Sequence, residues 1–252
     1  MTRIVGHVVT KDEAHRYLVP CLNWLRGIVD VIHVFDDRST DGTPALAAEF
    51  GALVDVRLRT VASFIENEMT FRQAAWTAMT RAAELADGDW VLAIDADEFL
   101  IANHAHDQTQ LAATVRHAET LGVPIVGFPV AEVFAFGVDA AQRPLVRVDG
   151  WWGTMQADRL TRWSPTARFR AKRLNGRDCG SIPFVDDIPR PDQVAVRSDD
   201  LTILHYGYAT PEDQAAKYAR YVNERGHNKL HVRSILQRPK LEPWHGRIPD
   251  GL

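Results

Sequence analysis

Trp90-Val91-Leu92-Ala93-Ile94-Asp95-Ala96-Asp97-Glu98-Phe99-Leu100 is the stretch that decides the fold class. Its first five residues form a mostly apolar run of strand length. Such strands sit inside parallel sheets covered on both faces, and those sheets bind ligands beyond the carboxyl ends of their strands. Three carboxylates then arrive within four positions. Held together, they repel one another unless a cation neutralises them. The segment reads as a strand end that holds a divalent cation and, through it, a phosphate.

Working outward, the first half of the chain alternates strand and helix patterns. Ile4–Val9 is a short apolar run, and Glu13–Arg26 places Tyr17, Cys21, Leu22 and Leu25 on one helical face. Val31–Phe35 is a second apolar run, followed by the turn chemistry of Arg38-Ser39-Thr40-Asp41-Gly42. Thr43-Pro44 fits an N-cap followed by proline at the first helical position. A strand over Leu53–Leu58 and a helix over Glu66–Ala86 lead to the acidic segment. This order predicts an α/β fold with a mainly parallel, doubly wound sheet. The second half is less regular. The pattern predicts a helix over Asp107–Leu121, strands at Ile125–Val130 and Leu201–Leu204, and a helix opening at Thr210-Pro211. Between them loops and short strands are expected, and the tail beyond Arg238 is expected to be irregular. No repeat or linker divides the chain, so one domain over residues 1–252 is expected.

Composition narrows the function. The chain has 252 residues, of which 46% are apolar, and a formal net charge of −4. An extended nucleic-acid footprint needs a basic face and is disfavoured. Arg168, Arg170, Lys172, Arg173 and Arg177 form one local basic candidate, equally readable as a solvated loop. The two cysteines, Cys21 and Cys179, offer neither metal spacing nor a disulfide framework. Without a membrane-length apolar run or a signal-peptide pattern, the expectation is a cytoplasmic chain with no integral membrane association.

Three motifs fall at strand ends: Val8-Val9-Thr10-Lys11-Asp12-Glu13, Val34-Phe35-Asp36-Asp37-Arg38-Ser39-Thr40-Asp41-Gly42-Thr43, and Ile94-Asp95-Ala96-Asp97-Glu98-Phe99-Leu100. In this order they resemble the motifs of family 2 type glycosyltransferases with the GT-A fold, over roughly the first 103 residues. His205-Tyr206-Gly207 resembles a later motif more loosely.

The resemblance implies a Rossmann-like GT-A sheet, with residues 1–103 as the nucleotide-sugar half and 104–252 as the acceptor side. It implies that Thr10 and Asp36, with Asp37, face the base and ribose of a nucleoside-diphosphate sugar of UDP or GDP type. Turn capping is the competing reading for Asp36 and Asp41. Arg72 is placed near the base or diphosphate, against a competing reading as a solvated helix residue. Asp97 would ligate the metal, and Asp95 would touch the ribose or a metal-bound water, with strand alternation bringing both to one side. His205 would be a further ligand, which favours Mn2+ over Mg2+. Glu98 points the other way and would orient the site or cap the following segment, the structural role being the favoured reading.

An inverting transferase needs a carboxylate to accept the acceptor's proton, and related enzymes place it roughly ninety residues beyond the metal motif. That falls on Asp186 and Asp187, with Asp158 and Asp178 as rivals. Trp151 and Trp152 are candidates for stacking on an acceptor. The acceptor class stays open among glycan, lipid, protein and modified nucleic acid. A nucleotidyltransferase is a weaker fit, because no glycine-rich loop follows the first strand. A non-catalytic sugar-nucleotide binder would not need the whole metal set.

Overall fold

The computed structural model describes residues 2–102, 107–137, 143–169, 173–174, 177–178, 183, 194–197, 200–223 and 229–248. In chain order the elements begin β1 (Ile4–Thr10), α1 (Leu18–Leu25), β2 (Val31–Asp36), α2 (Thr43–Glu49), β3 (Leu53–Val56), α3 (Glu68–Ala82), β4 (Trp90–Asp95), β5 (Glu98–Ala102) and α4 (Asp107–Leu121). They continue with β6 (Ile125–Phe136), β7 (Pro144–Arg147), a 3-10 turn at Gly150–Thr154, β8 (Gln156–Arg162), β9 (Arg173–Leu174), β10 (Arg177–Asp178), β11 (Val194–Arg197) and β12 (Leu201–His205). The last are α5 (Pro211–Asn223), α6 (Lys229–Ile235) and β13 (Leu241–Pro243).

Eleven of the described strands share one sheet, whose main path runs β13-β7-β6-β8-β4-β1-β2-β3. The strands β3, β2, β1 and β4 are parallel, as expected, while β8 enters antiparallel between β4 and β6. Alternation along β1 explains the layers. Ile4 and Val8 pack with α1, whereas Val5 joins Trp76 and Met79 of α3 on the other face. Gly6 lets α1 approach closely, since a Cβ there would meet Leu25 Cδ2 and Val29 Cγ2 at 3.2 Å.

Three elements differ from the sequence reading. Helix α1 starts at Leu18, because the backbone N–H groups of Asp12, Glu13 and Ala14 donate to Ser39 Oγ, Thr43 Oγ1 and Asp41 Oδ2. Those bonds hold the segment as a loop against the turn after β2. Strand β4 does not run on through the acidic cluster. Ala96 and Asp97 form a turn, and β5 leads away to pair antiparallel with β12. The third is the region past residue 228, which contains α6 and β13.

Leu22 is fully buried between α1 and the sheet. Leu22→Ala is expected to lower unfolding free energy by about 2–5 kcal/mol, the range for a buried large-to-small change. Urea denaturation followed by circular dichroism measures it, and a loss below about 1 kcal/mol would contradict this packing.

Candidate functional site

Register brings the strand ends together. Thr10 of β1 lies opposite Asp36 of β2, and Val9 lies opposite Asp95 of β4. Beyond this edge opens a cavity of about 560 Å³. Thr10, Asp37, Asp95 and Asp97 line it from the sheet side, and Arg16, Lys217 and Arg220 border it from beyond. Counting its lining, six cationic side chains (Lys11, Arg16, Arg38, Arg57, Lys217, Arg220) face four acidic ones (Glu13, Asp37, Asp95, Asp97). The cavity thus suits a ligand carrying negative charge. Arg38, which lines the cavity, and Asp12, between the lining residues Lys11 and Glu13, hold φ of 59° and 53°, a left-handed backbone that non-glycine residues seldom adopt.

Asp36 is wholly buried and does not line the cavity. Its Oδ1 accepts from Thr10 Oγ1 at 3.2 Å and Ser39 Oγ at 2.5 Å, and its Oδ2 accepts from Ser39 N at 2.8 Å. It holds the turn that carries Asp37. Asp37 reaches the cavity, paired with Arg57 and accepting from Phe64 N at 3.1 Å. Asp41 caps α2 by accepting from Thr43 N at 3.0 Å. Arg72 is buried rather than solvated. Its Nε donates to Glu68 Oε1 at 2.8 Å, and its guanidinium lies over the Phe64 ring.

The three acidic residues at and just beyond the end of β4 occupy three different environments. Asp95 ends the strand, and burial together with the Glu98 charge raises its carboxyl, opposed by Arg72 and Arg159. Asp97 sits on the turn. Burial alone would raise its carboxyl, but Lys217, His205 and Arg16 hold it far below the usual range. Glu98 opens β5 and is gripped in a fork by Arg159, with Nε to Oε2 at 2.8 Å and Nη2 to Oε1 at 2.5 Å. Its Oε2 also accepts from Asp95 N at 3.1 Å. The turn, not strand alternation, sets Asp95 and Asp97 side by side.

Strand β12 delivers His205. Its neighbours in register are Glu98 on β5 and Glu132 on β6, and Tyr206 N donates to the carbonyl of Asp97 at 2.8 Å. His205 Nδ1 lies 2.6 Å from Glu132 Oε2, and Nε2 lies 3.4 Å from Asp97 Oδ2. Burial disfavours a charged imidazole here, but Glu132 and Asp97 outweigh it and push the histidine upward. Lys217 of α5 completes the group, with Nζ 3.2 Å from His205 Nε2 and 3.7 Å from Asp97 Oδ2.

Among the described residues, no three of His, Cys, Asp and Glu gather closely enough to hold a metal unaided. The Asp97–His205 pair is nonetheless a fitting partial site. Metal bonds of about 2.1 Å put neighbouring ligands about 3.0–3.4 Å apart. The observed 3.4 Å agrees, and Glu132 Oε2 lies against Nδ1 on the other side of the ring as a charge contact.

Elsewhere the candidates separate. Trp151 is 44% exposed, while Trp152 is buried beneath it, its Nε1 donating to Ser234 Oγ at 3.1 Å. Asp186 and Asp187 lie outside the described residues. The sequence reading gave no role to Glu132, Arg159 or Arg16. Glu132 did carry a signal, as a lone acid inside the apolar run Val130-Ala131-Glu132-Val133-Phe134. Arg16 carried none. It bridges Glu13 at 2.7 Å and Asp213 at 2.6 Å, across nearly the whole chain.

Comparison with known proteins bears on residues 7–130, which match the model of glycosyl transferase family 2. An uncharacterized glycosyltransferase of Rickettsia felis is 33% identical over 104 residues, which are 40% of this chain and 30% of that protein. A TPR repeat-containing protein of Synechococcus elongatus is 36% identical over 102 residues, or 40% of this chain and 22% of its own length. The chain thus spans less than a third of either curated relative. Among solved structures, that of Staphylococcus aureus TarS 1-349 is similar at 16% identity and a TM-score of 0.46, covering 93% of this chain and 69% of that one. No helix among the described residues is long and apolar enough to cross a membrane. Residues 7–130, which hold the three strand-end motifs and make up just under half of the chain, are similar to glycosyl transferase family 2.

Proposed function

We propose that the protein is a metal-dependent glycosyltransferase of GT-A type, moving a sugar from a nucleoside-diphosphate sugar to an acceptor hydroxyl. The observation that carries this reading is the cavity where the strand-end carboxylates Asp95 and Asp97 meet a surplus of cations. A donor's diphosphate needs such charge, and the family match covers the same strand ends.

In this reading residues 1–103 bind the donor and 104–252 serve the acceptor. Thr10 and Asp37 face the base and ribose of a UDP or GDP type donor. Asp36 acts through them, since its oxygens are already engaged by Thr10 and Ser39. Arg72 acts by its charge on Asp95. Asp97 and His205 hold Mn2+ or Mg2+, with Asp95 oriented beside them. When bound, the ion supplies positive charge to the departing diphosphate. Arg16, Lys217 and Arg220 add fixed charge along the same wall. The transfer is read as inverting. The acceptor oxygen bonds to the anomeric carbon, the bond to the diphosphate breaks, and Asp187 or its neighbour Asp186 takes the hydroxyl proton. Trp151 offers an exposed aromatic face for an acceptor.

Isothermal titration with UDP and GDP, with and without Mn2+, tests the donor site. Metal-dependent binding of one nucleotide is expected, and binding of neither would overturn the reading. Asp97→Ala is expected to remove metal-dependent binding and donor hydrolysis, and to lower the melting temperature as well, because Lys217 and His205 lose a buried partner. Retained activity would remove Asp97 from the metal site.

Glu13 gives a pH signature to the same wall. Burial, helped by the Asp97 charge and opposed by Arg16, raises its carboxyl to about 7. Between its ordinary value and about 7, the folded chain holds this proton more tightly than the unfolded chain. Stability from this group therefore falls as pH rises through that window. Glu13→Gln is expected to match the parent near pH 4.5 and to gain roughly 1–3 kcal/mol over it by pH 8. Denaturant titrations across that range measure the difference, and a gap independent of pH would refute the assignment.

A further inference from the structure

Lys217 stands where two proposed metal ligands converge. Its ammonium lies 3.2 Å from His205 Nε2 and 3.7 Å from Asp97 Oδ2, with the Tyr208 ring 4.5 Å away. Lys217 lines the cavity, whereas His205 is not among its lining residues. The seat depends on Gly207. A Cβ there would fall 1.9 Å from Lys217 Nζ and 2.5 Å from His205 Nε2. Glu132 Oε2 faces Nδ1, while Nε2 faces both the ammonium and Asp97 Oδ2. That same nitrogen, once it has given up its proton, and the same Asp97 oxygen are what a divalent ion would use. An ammonium and a divalent ion at that spacing repel, so both cannot hold the pair at once.

We propose that Lys217 is the resident counter-ion of the Asp97–His205 pair, and that a divalent ion enters by displacing its ammonium toward the donor's phosphates. This rests on the metal-dependent reading above. The side chain has somewhere to go, because it borders the cavity beside Arg220, one turn further along α5. Arg16 flanks the same wall, tied to Asp213 in the first turn of α5. Phosphates bound there draw the ammonium away from Asp97 and so favour the metal. The metal, by freeing the ammonium, favours the phosphates. Such coupling is reciprocal by linkage. Lys217 is thus a positioning residue that makes the filled metal site conditional on donor.

The test is calorimetric titration of Mn2+ alone, then Mn2+ with UDP, into the full chain and its Lys217→Met and Lys217→Gln variants. Both variants are expected to bind Mn2+ alone more tightly than the parent, on the order of tenfold, the scale of one charge–charge contact at a partly screened site. UDP is expected to tighten Mn2+ binding less in the variants than in the parent. Equal or weaker Mn2+ binding by the variants overturns the role of Lys217 and leaves the metal reading standing. No Mn2+ binding by any of the three, with or without UDP, overturns both. A second measurement needs no variant. Reductive methylation of Lys217 in the parent, read by peptide mass spectrometry, is expected to rise severalfold when Mn2+ is added and to fall again with UDP. Labelling that ignores Mn2+ overturns the displacement.

Discussion

Three carboxylates at the end of one buried strand cannot all be charged without partners, and much of the chain is arranged around that constraint. Arg159 comes from β8 to grip Glu98. His205 and Lys217 come from β12 and α5 to hold Asp97. Asp95 receives no close ion pair among the described contacts, only the more distant fields of Arg72 and Arg159, and its carboxyl is raised. The second half of the molecule therefore supplies charge to the first. Strand β8 pairs antiparallel with β4, and β12 pairs antiparallel with β5, and each delivers a side chain to the acidic turn.

The parallel half was legible from the sequence because its information is local. Apolar runs at β1, β2 and β4, separated by helical patterns and turn residues, specify a doubly wound sheet without reference to distant partners. The cavity's position followed from the same logic, since Thr10, Asp36 and Asp95 end strands that pair in register. Helix α1 was read too long because Glu13 and Ala14 fit a helical pattern. Their backbone donors are instead claimed by Asp41 and Thr43, thirty residues or so away, which no periodicity reveals.

The site was legible in type and less so in detail. Carboxylates at a strand end announce a cation, but not which cation stands beside which oxygen. Asp36 illustrates the limit. Its place at the end of β2 fitted both a ligand contact and a turn cap, and its three accepted hydrogen bonds fill the second role completely. Trp151 and Trp152 are adjacent and alike in sequence, yet one is exposed and the other sealed under Phe134 and Tyr208. Glu132 and Arg159 act through partners remote in sequence, so only the folded chain reveals them.

The insertion of β12 between β5 and β6 carries a consequence for how the protein is made. During synthesis the first four parallel strands emerge early, and local contacts let them assemble. Asp97 then waits on its turn until His205 and Lys217 leave the ribosome. Closing so long a loop is slow and unrewarded until the strand docks. Before that docking, the acidic turn has only cations from the first half of the chain, such as Arg16 and Arg72, within its reach. The site is therefore closed by one five-residue strand and the helix that follows it.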